Sequence, residues 1–350
     1  MNTIIRKIST TIASLLISGF SFQNVAISET LPTKNYQIIK KIPLGGEGGW
    51  DYLTLDSVAR RLYITHSAKV TVLNVDTGLV VGEIPNTAGV HGVAIAPELN
   101  RGFTSNGKTA TATIFDLKTL QVIGEIKTGS NPDAIVYDPV SQKVFTFNGK
   151  SNSATVFEAK TTKLLGTIAL GGKPEFAVAD GLGKIYVNIE DKNEVVALNT
   201  YNLKVQTHWP LQPCSEPTGM DIDKRHRRLF IGCRNQVMSI VDANTGTIKA
   251  TLPIGNGVDA ISYDPVTKLA FSSNGAGSLT VVHEDSPDKF RIVNHVVTLP
   301  GARTMALDLK THKLYLVTAK FQPTSTPVPG QAAARPSIIP GTFVILILGD

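Results

Sequence analysis

Apolar and polar positions alternate with period two along most of this chain, in short runs separated by turn residues. In residues 134–170, AIVYD meets the turn DPVSQK, and VFTFN follows. A polar loop then leads to SATVFEA, the turn KTTK and LLGTIAL. Alternation rich in β-branched and aromatic residues predicts four strands here, and the Asp, Asn, Gly and Pro between them suit tight connections. The unit recurs at GGWDYLTLD, GVHGVAIAP, NPDAIVYD, GKPEFAVAD, EPTGMDID, GVDAISYD and ARTMALD, at intervals of 40, 42, 42, 43, 41 and 45 residues. Repeats of this length built from four short strands predict an all-β fold, a β-propeller with seven four-stranded antiparallel blades. The last copy lacks a fourth strand, whereas YQIIKKIPL at 36–44 has no blade of its own. The N-terminal strand is therefore expected to pair into the last blade and close the ring, which removes an exposed edge.

The repeat also carries polar residues at a fixed spacing. Asp51, His91, Asp133, Glu175, Thr218, Asp259 and Thr304 open the first strands. Fifteen residues later stand His66, Asn106, Asn148, Glu190, Cys233, Asn274 and Ala319. A strand, a turn and a returning strand bring both sets to one end of the blades. Two concentric polar rings are expected there, around one channel mouth. Five acids converging on one mouth repel, which raises some of their pKa values unless a cation intervenes. Arg234 and Arg303, beside ring positions, are candidates for that role. A single divalent ion is the alternative, with His91 and Asp133 as candidate ligands. Carboxylates suit Ca²⁺ or Mg²⁺, and His66 and His91 suit Zn²⁺, Cu²⁺ or iron. Three readings of the mouth stay open: a hydrated channel, a site for a small molecule or peptide, and a catalytic metal or acid–base site.

These stretches, with FTSNG, FTFNG, GKPEF, CSEPTG, FIGC, FSSNG and ARTMALDL, resemble secreted YVTN-repeat propellers of the YncE-like class over residues 36–350. The resemblance implies a seven-bladed periplasmic propeller, often without an assigned reaction. DNA binding occurs among such relatives, and lyase, lactonase and electron-transfer chemistry among other propellers, so fold alone does not choose.

Residues 1–28 carry Arg6 and Lys7, an apolar run from Ile12 to Phe22, and the small residues Ala26 and Ser28. That layout predicts a secretory signal cleaved near Ser28/Glu29, a single propeller over 29–350, and a periplasmic or secreted product. Losing the signal takes the net charge from +6 to +4. No later stretch is apolar and long enough to cross a membrane. In such a compartment Cys214 and Cys233 are expected to pair.

Two further features bear on partners. The seventh copy holds a proline-rich insertion, 321–341, expected to rise over the same mouth with Arg335 in reach of its acids. Basic residues gather in the turns at the opposite end, most densely as KRHRR at 224–228. A nucleic-acid or anion-binding face is a weaker expectation, since Asp residues share those turns and no aromatic stacking motif accompanies them. GxSxG, HExxH and CxxCH are absent, so any catalysis falls to ring carboxylates and histidines.

Overall fold

A computed structural model describes residues 35–323 and 336–350. The expected signal segment and the middle of the proline-rich insertion, with Arg335, lie outside the described residues.

The Asp residues of the turns between first and second strands fold those turns. The Asp56 carboxylate accepts from the N–H groups of Val58 and Ala59. Asp138, Asp223, Asp264 and Asp308 repeat the arrangement in blades 3, 5, 6 and 7. Each side chain thus completes its own turn and reverses the chain. Between the turns, second strands such as Arg61–His66 and Lys143–Asn148 are buried on both faces beyond their first residue. Fourth strands such as Lys204–Pro210 are largely exposed. That gradient explains why the inner strands are nearly continuous apolar runs, while the outermost ones mix in charge.

The strands form seven four-stranded antiparallel sheets. In the first six blades, strand order follows the sequence. The seventh orders Gln37–Pro43, Val344–Gly349, Lys313–Thr318 and Met305–Asp308, with Gln37 opposite Gly349 and Pro43 opposite Val344. The N-terminal strand closes the ring as expected.

Seven apolar clusters make the core, and each straddles one seam between neighbouring blades. Trp50, Leu62 and Ile64 of blade 1 meet Tyr315, Val317 and Ile345 of blade 7 in the closing seam. A blade therefore owns no core of its own and depends on its two neighbours for burial.

Ion pairs reinforce the seams on the turn side. Arg60 of blade 1 bonds Asp308 of blade 7 at 2.8 Å, and Arg227 of blade 5 bonds Asp180 of blade 4 at 2.8 Å. His312 of blade 7 lies 2.6 Å from Asp264 of blade 6, and His226 lies 3.0 Å from Glu284 across the next seam. The basic run at 224–228 is partly taken up by these seams. His226, Arg227 and Arg228 are engaged with Glu284, Asp180 and Asp242, which leaves Lys224 and Arg225 without an ion pair among the described residues.

Cys214 and Cys233 form the expected disulfide, with Cα atoms 5.5 Å apart and a sequence separation of 19. Closing a loop of that length in the unfolded chain is worth about 3 kcal/mol. Replacing both cysteines by alanine is expected to lower the unfolding free energy by that amount, read from the urea midpoint of the double variant. A midpoint unchanged from wild type would remove this role.

Candidate functional site

The first-strand residues are turned into the channel by a local irregularity. In blades 1–6 the ladder between first and second strands shifts register at the ring position: between Trp50 and Leu53, Val90 and Gly92, Pro132 and Ile135, Pro174 and Ala177, Pro217 and Met220, and Val258 and Ala260. A β-bulge frees its residue from pairing and re-aims the side chain. The preceding blade then fixes the bulge in place. Ser105 Oγ donates to the Asp133 carbonyl and Asn188 Nδ2 to Thr218 O.

Asp51, Asp133, Glu175 and Asp259 line one cavity of about 520 Å³, together with Tyr52, Lys173, Arg234 and Arg303. His91 joins them through its Nδ1, 2.6 Å from Asp51 and 3.6 Å from Asp133. Its opposite edge lies against Gly107, where any Cβ would come within 2.6 Å of Nε2. Glu190 enters through Lys173, which also lies 3.2 Å from Glu175, and through Arg234 at 3.0 Å. Arg303 Nε meets Asp259 Oδ2 at 2.5 Å, and the guanidinium lies over the Trp50 ring at 5.8 Å.

The expected second ring does not surround the mouth. Asn106, Asn148 and Asn274 lie wholly inside their blades. Each binds two hydroxyls of the neighbouring third strand: Thr111 and Thr113, Ser153 and Thr155, or Ser278 and Thr280. They bracket strands together. His66 is buried in the closing seam, stacked on Phe343 with centroids 4.4 Å apart. Burial, helped by the charge of Lys69, lowers its pKa. Cys233 is in the disulfide. Two first-ring residues also turn away: Thr218 Oγ1 donates to Gly232 and Val258 carbonyls, and Thr304 Oγ1 to the Asp51 carbonyl. Of the second set only Glu190 reaches the charged network.

Lys173 and Tyr52 are the residues that spacing did not single out. Lys173 lies two positions before Glu175 within GKPEF. Its backbone is tied to the short 3-10 turn Glu190–Lys192, through Glu190 N–H to Lys173 O and Lys173 N–H to Asp191. Tyr52 directly follows the ring residue Asp51 and forms the floor. It lines both the mouth and a second chamber of about 350 Å³ farther along the channel. That chamber is walled by Val93, Ile135, Met220, Ile261 and Met305. Tyr52 meets Phe176 edge to face at 4.9 Å. A polar mouth thus stands over an apolar shaft.

Around the ring the charges alternate: Asp51, His91, Asp133, then Lys173 with Glu175 and Glu190, then Arg234, Asp259 and Arg303. Compensation is incomplete. Burial, reinforced by the charge of Glu190, pushes Glu175 up to about 7. Burial also lifts Asp259 to about 6, against the pull of Arg303. Asp133 is held well above the carboxylate range by burial and by the charges of Asp51, Glu175 and Asp259, although His91 pulls it down. Burial disfavours charge on His91, but its hydrogen bond to Asp51 and the charge of Asp133 outweigh this and raise it to about 9. Burial and the four surrounding carboxylates keep the Tyr52 phenol protonated.

The architecture and this charged mouth define a seven-bladed β-propeller with a polar basin at one end of its channel. Solved structures agree on the fold. One similar chain belongs to a structure of Kuenenia stuttgartiensis hydrazine synthase, with 16% identity, a TM-score of 0.68, and coverage of 77% of this chain and 92% of that one. Another comes from the mitotic checkpoint complex, with 12% identity, a TM-score of 0.72, and coverage of 88% and 95%. At such identities the likeness is one of fold. No family model matches the chain. No curated protein matches it.

Proposed function

We propose that this protein is a binding propeller of the cell envelope or exterior, whose ligand seats in the charged mouth and presents a cationic group to Asp133. One observation carries this reading. His91 is committed to Asp51, Arg303 to Asp259, and Lys173 and Arg234 to the two glutamates. Asp133 has only the more distant share of His91, 3.6 Å away against 2.6 Å for Asp51, and its carboxylate has no hydrogen bond among the described residues. A buried carboxylate in that position gains strongly from a cation that brings its own donors. The cavity of about 520 Å³ is ordinary for a small-molecule site.

The disulfide is compatible with secretion, and among the described residues no helix is long and apolar enough to cross a membrane. The stretches resembling YncE-like repeats, and the signal-like layout of the sequence over 1–28, support the same placement.

The test is a thermal-shift series on wild type and on Asp133→Asn, with amines, amino acids, dipeptides and divalent salts. A ligand at ten times its dissociation constant adds about 1.4 kcal/mol, which moves Tm by roughly 3 °C. At least one compound is expected to do this with wild type and not with the variant. A flat series, or equal shifts in both proteins, would sink the reading.

A second reading rests on a separate observation. One donor atom from each of Asp51, His91 and Asp133 lies within 4.8 Å of the others, close enough to hold one divalent ion. Such an ion would make the mouth a site for metal-assisted lyase, hydrolase or redox chemistry. About one metal per purified chain, lost in His91→Ala, supports it; a metal content equal to that of the variant removes it.

A further inference from the structure

The charges of the mouth are layered as well as alternating. The three permanent cations stand outermost: the side chains of Lys173, Arg303 and Arg234 keep 39%, 37% and 48% of their surface exposed. The carboxylates lie deeper, with 18% exposed at Asp51, 13% at Asp133, 10% at Glu175 and 16% at Asp259. Below them is the Tyr52 ring, itself 8% exposed. The residue lines the mouth, and its hydroxyl has no hydrogen-bond partner among the described residues.

A molecule entering the mouth therefore meets positive charge first, negative charge next, and then an aromatic floor with a free hydroxyl. A simple anion is held at the rim but repelled from the floor. A simple cation is drawn to the floor but passes a rim that opposes it. Only a ligand carrying both charges satisfies both layers. An ammonium group at the floor donates to Asp133 and Asp51, and the Tyr52 face or oxygen accepts from it. A carboxylate at the opposite end of the ligand meets the rim, where Arg303 offers a planar pair of donors.

We propose that the mouth takes a small zwitterion with its ammonium end down, of the kind supplied by a free α-amino acid or a short peptide. This rests on the mouth being a ligand site, as argued above, and adds the polarity and chemical class of the ligand. The apolar chamber beside Phe176 shares the Tyr52 ring with the mouth, so apolar side chains of such a ligand would lie on its side of that ring.

The experiment is calorimetric titration of the full chain with free amino acids and with dipeptides in three forms: unmodified, amino-acetylated and carboxy-amidated. Tight binding by amino acids or by dipeptides decides between those two sources. For the best binder, acetylation and amidation are each expected to weaken affinity tenfold or more. Asp133→Asn is expected to erase the penalty of acetylation, and Arg303→Gln that of amidation. Because Arg303 also clamps a seam, Lys173→Gln serves as a second rim variant, with Tm recorded for each. Modified ligands binding as tightly as unmodified ones would overturn the proposal. So would thermal shifts from divalent salts or simple amines alone, an outcome that leaves the mouth a ligand site but not one for zwitterions. A flat series overturns both.

Discussion

Arg60→Ala is expected to lose about 3 kcal/mol of stability, the largest effect of any single charge removal on the turn side. Arg60 joins the first blade to the last at the seam where the ring closes. Its guanidinium binds Asp308 across the seam and Asp76 within its own blade. The Asp308 side chain is fully buried, so truncating Arg60 strands a charge that water cannot reach. The loss sits at the low end for a broken buried pair, because Thr311 and the Lys310 N–H still bind Asp308. Burial raises the Asp308 pKa, but the hydrogen bonds from Arg60 and Thr311 outweigh it and hold the carboxyl below its ordinary range. The stabilisation is thus present above the ordinary carboxylate pKa and fades as pH falls through the lowered folded value. Urea unfolding at neutral and acidic pH reads both parts. A variant as stable as wild type at neutral pH would show that the seam holds by apolar packing alone.

The second large effect has the opposite sign. Glu175→Gln is expected to stabilise the protein by about 2 kcal/mol at pH 8 and to be neutral below pH 4. Glu175 titrates near 7 in the fold against a usual 4.5. Between those values the folded chain keeps a proton that the unfolded chain has released. Stability therefore falls as pH rises through that window, and above it the folded mouth bears a disfavoured charge. Glutamine removes the charge and keeps the shape; the gain is trimmed because Lys173 loses one of its two partners. A gain in stability independent of pH would point to packing instead. Binding sites commonly trade stability for preorganised charge, and a bound cation would recover part of it.

Repeat length, strand pattern and the missing fourth strand were all local signals, so the propeller and its mode of closure were legible in the sequence. The disulfide was legible for the same reason: topology put both cysteines at one end of one blade. The mouth was only half legible. Fifteen-residue spacing fixes which end of a blade a residue reaches, not which way its side chain points. The bulge decides direction, and it turns Asp133 inward while Asn148, the ladder partner of the preceding Pro132, stays within the blade. Tyr52 and Lys173 escaped because they stand one and two positions off the repeating register. The pairing within the basic turns was hidden for another reason: the partner of Arg60 lies 248 residues away, and only ring closure brings it near.

The bulges carry a consequence for how such a protein changes. A ladder residue is tied by its backbone to a neighbouring strand and packs its side chain into a seam, so replacing one disturbs pairing and packing at once. A bulged residue is released from pairing, and the hydrogen bond that fixes it comes to its backbone carbonyl, as from Ser105 to Asp133. Its side chain is therefore free to vary at small cost to the blade beneath. The mouth behaves as a keyboard mounted on a rigid frame, with keys that can be exchanged singly. New specificities on this scaffold are accordingly most accessible through substitutions at the ring positions themselves, with the strands left as they are.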